Sequence, residues 1–192
     1  MQIFNNEVFN EFPDIETNNL ILREFNPEDT SVLFQNYSDK DVMKYFGREL
    51  FNDISEAETK IENTNMDFKN KIGIRWAVCH KSDDKQMLGS CGFWRILKDH
   101  LRAEIGYELS KDFWGKGIMT EALQAIIEFG FFKMNLHTIE ANIDPDNIGS
   151  VKILEKLGFV REGYFKDSYL FKGKFTDTAS YSLINLNDSF CK

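Results

Sequence analysis

The stretch Lys111–Leu123, "KDFWGKGIMTEAL", sets two glycines astride a lysine and then runs directly into an apolar-periodic segment. A glycine pair where a strand gives way to a helix brings backbone N–H groups close to a partner, and a helix N-terminus favours an anion there. Downstream, Met119, Ala122, Leu123, Ile126, Ile127, Gly130, Phe131 and Met134 recur every three or four residues, which predicts one buried helix face. Upstream, "RAEIGYELS" from Arg102 alternates, with Ala103, Ile105, Tyr107 and Leu109 on one side and Glu104, Gly106 and Glu108 on the other. On these residues alone the loop reads equally as an anion cradle or as a packing device. It is not a P-loop, which would need glycine at Ser110, and it lacks the G-x-G-x-x-G of a dinucleotide fold.

Outward from this unit, "LILREF" (Leu20–Phe25) reads as a strand, and Asn26 with Pro27 opens a helix to about Tyr37. Ser55 and Glu58 have the spacing of a capping box and announce a second, more polar helix. Three strand-like runs follow, from Ile74, Gln86 and Arg102, joined by the short polar connections "KSDDK" and "KDH", which predicts an antiparallel meander. The glycine at 106, in mid-strand, predicts a bulge or a close backbone approach. After the long helix come a strand "HTIEANI", a turn "DPDN", and a helix "IGSVKILEKL" stopped by Gly158. A hairpin from Phe159 to Leu186 then turns at "KGK". The order β α α β β β α β α β β predicts a mixed α+β fold, with residues 1–192 as a single domain.

Composition narrows the function. With 42% hydrophobic and 14% aromatic residues the 192-residue chain is able to bury one sizeable core. No run approaches the roughly 18 apolar residues of a membrane span, and the start lacks the pattern of a signal peptide. No membrane association and a cytoplasmic location are expected. Cys79, Cys91 and Cys191, with His80, His100 and His137, show no metal-ligand spacing, so reduced thiols and no metal are expected. A net charge of −8 without a basic cluster argues against nucleic acid. An acidic balance attracts cationic partners or simply serves solubility.

Taken together, "ETNNLILREF", "AEIGYELSKDFWGKGIMTEAL", "NIGSVKILEKLGFVREGYF" and the final hairpin resemble the GNAT superfamily of acetyl-coenzyme A-dependent N-acetyltransferases. Within it the chain is similar to the branch of ribosomal-protein alanine and serine N-terminal acetyltransferases. The resemblance implies a mostly antiparallel, splayed sheet flanked by helices, with acetyl-coenzyme A as cosubstrate. It assigns the pyrophosphate to the loop Trp114, Gly115, Lys116, Gly117, Ile118 and Met119 with Thr120, where Trp114 replaces the usual Gln or Arg and Met119 a small residue. Backbone groups of Tyr107 and Leu109 would meet the thioester arm, and "HTIEANI", with Asn142, would form the other wall of the cleft. Asn147 and Ser150 are similar to the family's N-x-x-S, implying that Asn147 bonds the pantetheine arm and that Ser150 passes a proton to the thiolate. Asn147 equally reads as a helix N-cap.

Acetyl transfer to an amine needs a neutral nucleophile, support for the oxyanion and a proton for the departing thiolate. An α-amine with pKa near ~8 needs less help than a lysine near ~10.4. Glu104, directly or through a water, is the expected base, with Glu108 as rival and a plain solvent-facing carboxylate as the alternative reading. Cys91 has no histidine near it in sequence, which disfavours an acyl-cysteine route. Trp76, Phe93, Trp94, Tyr164 and Tyr169 read as core or cleft wall, and Asp177 as a group that orients the hairpin or binds a cationic acceptor. The acceptor site is expected between "YSDKDVMKYFGRELFND" and "FKDSYLFKGKFTD". The expected acceptor is a protein or peptide N-terminus; a polyamine, aminoglycoside or amino acid is the alternative, and a non-catalytic acyl-coenzyme A sensor a further one. Either a monomer or a homodimer fits.

Overall fold

A computed structural model describes residues 3–186. Its strands are β1 (Ile15–Glu16), β2 (Leu20–Arg23), β3 (Ile74–His80), β4 (Asp83–Leu97), β5 (Arg102–Leu109), β6 (Thr138–Ile143), β7 (Val160–Phe171) and β8 (Lys174–Ile184). The α-helices are α1 (Thr30–Ser38), α2 (Ile54–Lys69), α3 (Ile118–Phe132) and α4 (Ile148–Lys156). One sheet runs β1-β2-β3-β4-β5-β6-β8-β7. Every neighbouring pair is antiparallel except β5 with β6, which are parallel and joined through α3. The expected α+β class and the meander of β3, β4 and β5 are both present. The two-residue β1 was not anticipated, because so short a strand carries no periodicity.

Alternation along the strands sorts the side chains into two cores. On one face, Trp76, Val78, Leu88, Phe93 and Ile105 pack with Ile118, Met119, Leu123 and Ile126 of α3 and Leu154 of α4. On the other, Ala77, Cys79 and Met87 pack with Leu33 and Tyr37 of α1 and Ala57 and Ile61 of α2. Glu121, in the first turn of α3, ties that helix to the β1–β2 connection. Its carboxylate accepts from the Thr17 hydroxyl at 2.6 Å, the Asn19 N–H at 2.9 Å and the Asn19 amide at 3.0 Å. These bonds hold its pKa below the ordinary value even though burial pushes the other way.

Two helix starts refine the sequence reading. The segment expected as a helix from Pro27 opens as a 3-10 turn, Pro27–Asp29, before α1 begins at Thr30. Asp29 is buried and held by two bonds from Arg23, at 2.8 and 2.9 Å, and one from the Asn26 N–H at 2.9 Å. For α2 the capping box is Asp53 and Glu56, not Ser55 and Glu58. The Asp53 carboxylate accepts from the Ser55 N–H at 2.9 Å, and Glu56 reaches back to the Asp53 N–H at 3.1 Å. Asp caps as well as Ser, so spacing alone did not choose between the two frames. Asp53→Ala is therefore expected to cost about 1 kcal/mol and lower the melting temperature by about 2–4 °C, whereas Glu58→Ala stays within about 1 °C of the parent. Thermal scans of the two variants decide which box is real.

Candidate active site

β5 and β6 pair only through Arg102, Ala103 and Glu104, opposite Thr138, Ile139 and Glu140. Beyond Glu104, β5 stays with β4 as far as Leu109 opposite Gly89, while β6 stays with β8 as far as Ile143 opposite Ala179. The sheet therefore forks, and the facing edges of Ile105–Leu109 and Ala141–Ile143 have no strand between them. Gly106, two residues past the fork, pairs regularly with Gly92 and is not a bulge. A Cβ there would lie 3.6 Å from Nη1 of Arg75 and 3.7 Å from the Trp94 ring, which is ordinary contact.

A 3-10 turn, Lys111–Phe113, leads from β5 into the glycine loop. Gly115 and Gly117 have φ of +73° and +80°, the left-handed region that glycine enters without penalty. An added Cβ at either would meet nothing within 4 Å, so these two glycines are not packing against the protein. The N-cap of α3 is Gly117, which supplies no side-chain cap, and Ile118 and Met119 point into the core. The first N–H groups of the helix thus open into a loop exposed at 114–117, a natural anion site. Met119 does not crowd this mouth. The Trp114 indole N–H donates to the Leu109 carbonyl at 2.8 Å, anchoring the loop to the end of β5 and using one lone pair of that carbonyl.

Across the fork, Asn147 caps α4, its Oδ1 accepting from the Ser150 N–H at 3.1 Å and leaving its amide N–H₂ available. Tyr107 reaches the same place from β5. Its hydroxyl is buried beside that of Ser150, but the two do not meet in good hydrogen-bond geometry, and it has no partner among the described residues. Burial pushes the Tyr107 phenol up to about 12, with Ser150 pulling the other way. Asn142 is exposed on β6, opposite Ser180, so the fork brings Tyr107, Asn147 and Ser150 together while Asn142 sits on the outer wall.

On the opposite face of the sheet the carboxylates are not solvent-facing, as one reading of the alternation had them. Glu104 is 5% exposed and bonds Arg95 through Oε2 at 3.0 Å, while Oε1 has no hydrogen bond among the described residues. Glu108 is 3% exposed and has both oxygens engaged, one by Arg75 and one by the Ser90 hydroxyl. Arg75 also donates to Ser90 at 2.7 Å and to the Gly106 carbonyl at 3.2 Å. Lys60 of α2 lies near this cluster, and burial, reinforced by Arg75, pushes its ammonium from 10.5 down to about 8. Sequence reading overlooked Arg75, Ser90 and Lys60. The available signal was a lone arginine in the apolar run "IRWAVCH", on the same strand face as a carboxylate two strands away. Cys91 is fully buried on the α3 face and its thiol is pushed up to about 12, which removes it as a nucleophile.

The final hairpin closes over the segment between α1 and α2. The Tyr169 hydroxyl donates to the Gly47 carbonyl at 2.9 Å, and Lys172 pairs with Glu49 at 2.7 Å. Asp177 accepts from the Tyr164 hydroxyl and, at 2.8 Å, from the Asp167 N–H. These bonds tie its carboxylate into the hairpin. Cys191 lies outside the described residues. Among the described residues no helix is long and apolar enough to cross a membrane, and no group of three or more His, Cys, Asp or Glu side chains is placed to hold a metal ion.

Residues 19–160 match the family model described as an acetyltransferase (GNAT) domain. The chain is 39% identical to the uncharacterized N-acetyltransferase p20 of Bacillus licheniformis, over 88% of this chain and 94% of that protein. It is 36% identical to the [ribosomal protein uS5]-alanine N-acetyltransferase of Escherichia coli, over half of each chain. A GNAT-family acetyltransferase structure from Bacillus anthracis superimposes with a TM-score of 0.80 at 27% identity, over 90% of this chain and 98% of that one.

The Lys60 environment makes a signed prediction. Between about pH 8 and pH 10.5 the unfolded chain binds more protons at this lysine than the folded one, so its contribution to stability rises with pH across that window. Lys60→Met is expected to raise the melting temperature at pH 7, with the gain shrinking by pH 10; paired thermal scans at the two pH values measure it.

Proposed function

This chain belongs to the GNAT family of acetyl-coenzyme A-dependent N-acetyltransferases, and on that footing we propose that it acetylates the α-amine of a protein or peptide N-terminus by direct attack. The observation that carries the reading is the fork beyond Glu104, with an uncapped helix and two unpacked left-handed glycines at one end of it and a buried carboxylate at its apex. A fork of this kind leaves backbone edges free for an extended arm, and the helix N-terminus suits a pyrophosphate. The residues therefore fit coenzyme A. Backbone N–H groups of Gly115 to Thr120, with Trp114 and Lys116 at the rim, would hold the pyrophosphate. Tyr107, Leu109, the β6 backbone at Asn142 and the free amide of Asn147 would border the pantetheine arm. Bound there, acetyl-coenzyme A supplies the thioester from which the acetyl group is taken.

This chain's residues then have two proton tasks. Glu104 takes the amine proton through Oε1, the oxygen without a hydrogen bond among the described residues, while Arg95 steadies Oε2. Glu108 is a poorer choice, since Arg75 and Ser90 occupy both of its oxygens. Ser150 would donate a proton to the leaving sulfur, with the partnerless Tyr107 hydroxyl beside it to share the load. An N-terminal α-amine suits a carboxylate base because it is already partly neutral near pH 7. The partial likeness to the uS5-alanine acetyltransferase supports the same acceptor class.

Thiol release from acetyl-coenzyme A with short peptides tests this directly. Glu104→Gln is expected to lower kcat about 10²-fold at pH 7 and less at pH 9, where the amine deprotonates unaided, while coenzyme A still raises the melting temperature. A loss confined to high pH, or none, would remove Glu104 as the base. Gly117→Ala is expected to raise the dissociation constant for coenzyme A by tenfold or more, read by calorimetry, because a left-handed φ is strained for alanine and the methyl enters the cradle.

A further inference from the structure

The sheet ends differently at its two edges. β1, at one end, is two residues long and offers little to pair with. β7, at the other end, is twelve residues long and has β8 on one side only. Val160, Tyr164, Phe165, Tyr169, Leu170 and, on β8, Phe175 are all exposed despite their size and apolar surface. A long apolar edge with nothing beside it is a template for another strand.

Two irregularities limit how that edge pairs. The register with β8 shifts between Arg161 and Gly163 and again between Phe165 and Tyr169, and Asp167, inside the second interruption, has a φ of +50°. Such bulges block a long ladder. Between them Gly163, Tyr164 and Phe165 lie in register opposite Ser180, Ala179 and Thr178. The regular part of the free edge is therefore centred on Tyr164.

The charged residues of β7 stand symmetrically about that same point. Arg161 and Glu162 precede Tyr164, and Lys166 and Asp167 follow it at the same spacings. None of these side chains has an ion pair among the described residues. When the strand is laid antiparallel on a copy of itself with Tyr164 on the two-fold axis, Arg161 faces Asp167 and Glu162 faces Lys166 on both sides of the axis. A slip of one residue in one direction sets Arg161 against Lys166, and in the other direction Glu162 against Asp167. Like charges directly opposite are destabilising, so the pattern fixes one register and penalises its neighbours. In that register Gly163 falls opposite Phe165, where the missing side chain leaves room for a ring.

We propose that β7 docks on β7 of a second copy of this chain, antiparallel about a two-fold axis at Tyr164, so that the protein is a homodimer with one continuous sheet. An isologous interface requires a self-complementary patch, and the order of charges along β7 supplies one. The same order gives an unrelated strand no such match, which selects a second copy as the occupant. The interface also lies on the hairpin whose Tyr169 and Lys172 hold Gly47 and Glu49, so it braces the strand that keeps the 39–52 segment in place.

Light scattering on the purified full chain at about 100 µM should show a dimer, and dilution gives its dissociation constant. The two-fold axis counts each contact twice, so Lys166→Glu, which faces Glu162 with a carboxylate on both sides, is expected to raise that constant about tenfold or more. Adding Glu162→Lys restores opposite charges and should return the constant to within about threefold of the parent. Tyr164→Cys, in a Cys191→Ser background, brings the two Cα atoms of position 164 to about 4.5–5.5 Å, within the span of a disulfide. Mild oxidation should then give a cross-linked dimer that dithiothreitol reverses. Phe165→Cys in the same background should stay uncross-linked, because its two copies lie roughly 8 Å apart.

A monomer at about 100 µM would overturn the proposal and leave this edge to a different kind of strand. A dimer indifferent to Lys166→Glu, or one that cross-links at Phe165→Cys and not at Tyr164→Cys, would overturn it as well, since the interface would then use another surface or another register.

Discussion

The molecule is organised by a failure to pair. β5 and β6 run parallel for three residues and then part, because each is more extensively held by its outer neighbour: β5 by β4 to Leu109, β6 by β8 to Ile143. A parallel connection needs a long crossover, and α3 provides it, so the glycine loop stands at the open end of the fork by topology. Everything assigned to the cofactor lies along that gap. Closing it would satisfy the backbone edges within the sheet and leave no space for an extended ligand between Tyr107 and Asn147.

A forked sheet also gives its two faces different work. On the α3 and α4 face the side chains past the fork are mostly apolar, and polar character there comes from the backbone of the loop, the Asn147 cap and the Tyr107 and Ser150 hydroxyls. On the opposite face, Glu104, Glu108, Arg75 and Ser90 are ionic or hydroxylic, yet the carboxylates and Ser90 are buried and Arg75 is partly so. Strand alternation places the two sets back to back across β5, so one strand carries both an open edge past the fork and a buried charged face. Glu121 makes the geometry firm at the loop end by bonding the β1–β2 connection to the first turn of α3.

Local features were legible in the sequence where one element decides them. The loop, the helix behind it, Asn147 as N-cap and the meander follow from periodicity and turn chemistry within a few residues. Burial of Glu104 and Glu108 was not legible, because it depends on partners from other strands, Arg95, Arg75 and Ser90, closing over a face that looks merely polar in isolation. Asp177 reads in the sequence as orienting the hairpin or binding a cation, and only the fold brings the Tyr164 hydroxyl and the Asp167 N–H to it. Arg75 carried a signal, a cation in an apolar strand, but its partners come from β4 and β5, 15 and 33 residues away. Gly115 and Gly117 were ambiguous between packing and cradle for a similar reason: only the surroundings reveal that nothing in the protein crowds them.

Net charge was the weakest guide. A value of −8 fits cationic partners or plain solubility, and it gives no hint that Arg75 and Arg95 pair two buried carboxylates beneath β5. The two statements concern different distances. At physiological ionic strength exposed charges are screened beyond about 8 Å, so the carboxylates scattered over the surface govern solubility and little else. Beneath the sheet, screening is weak, and a guanidinium in contact with a buried carboxylate outweighs a distant acidic surface. The two carboxylates of β5 illustrate the same point at shorter range: four residues apart and on one face, Glu108 is fixed as the counter-ion of Arg75, whereas Glu104 keeps an oxygen free because its own cation, Arg95, reaches only Oε2. Which carboxylate is free to move a proton is decided by the neighbours folding supplies, and composition holds no record of them.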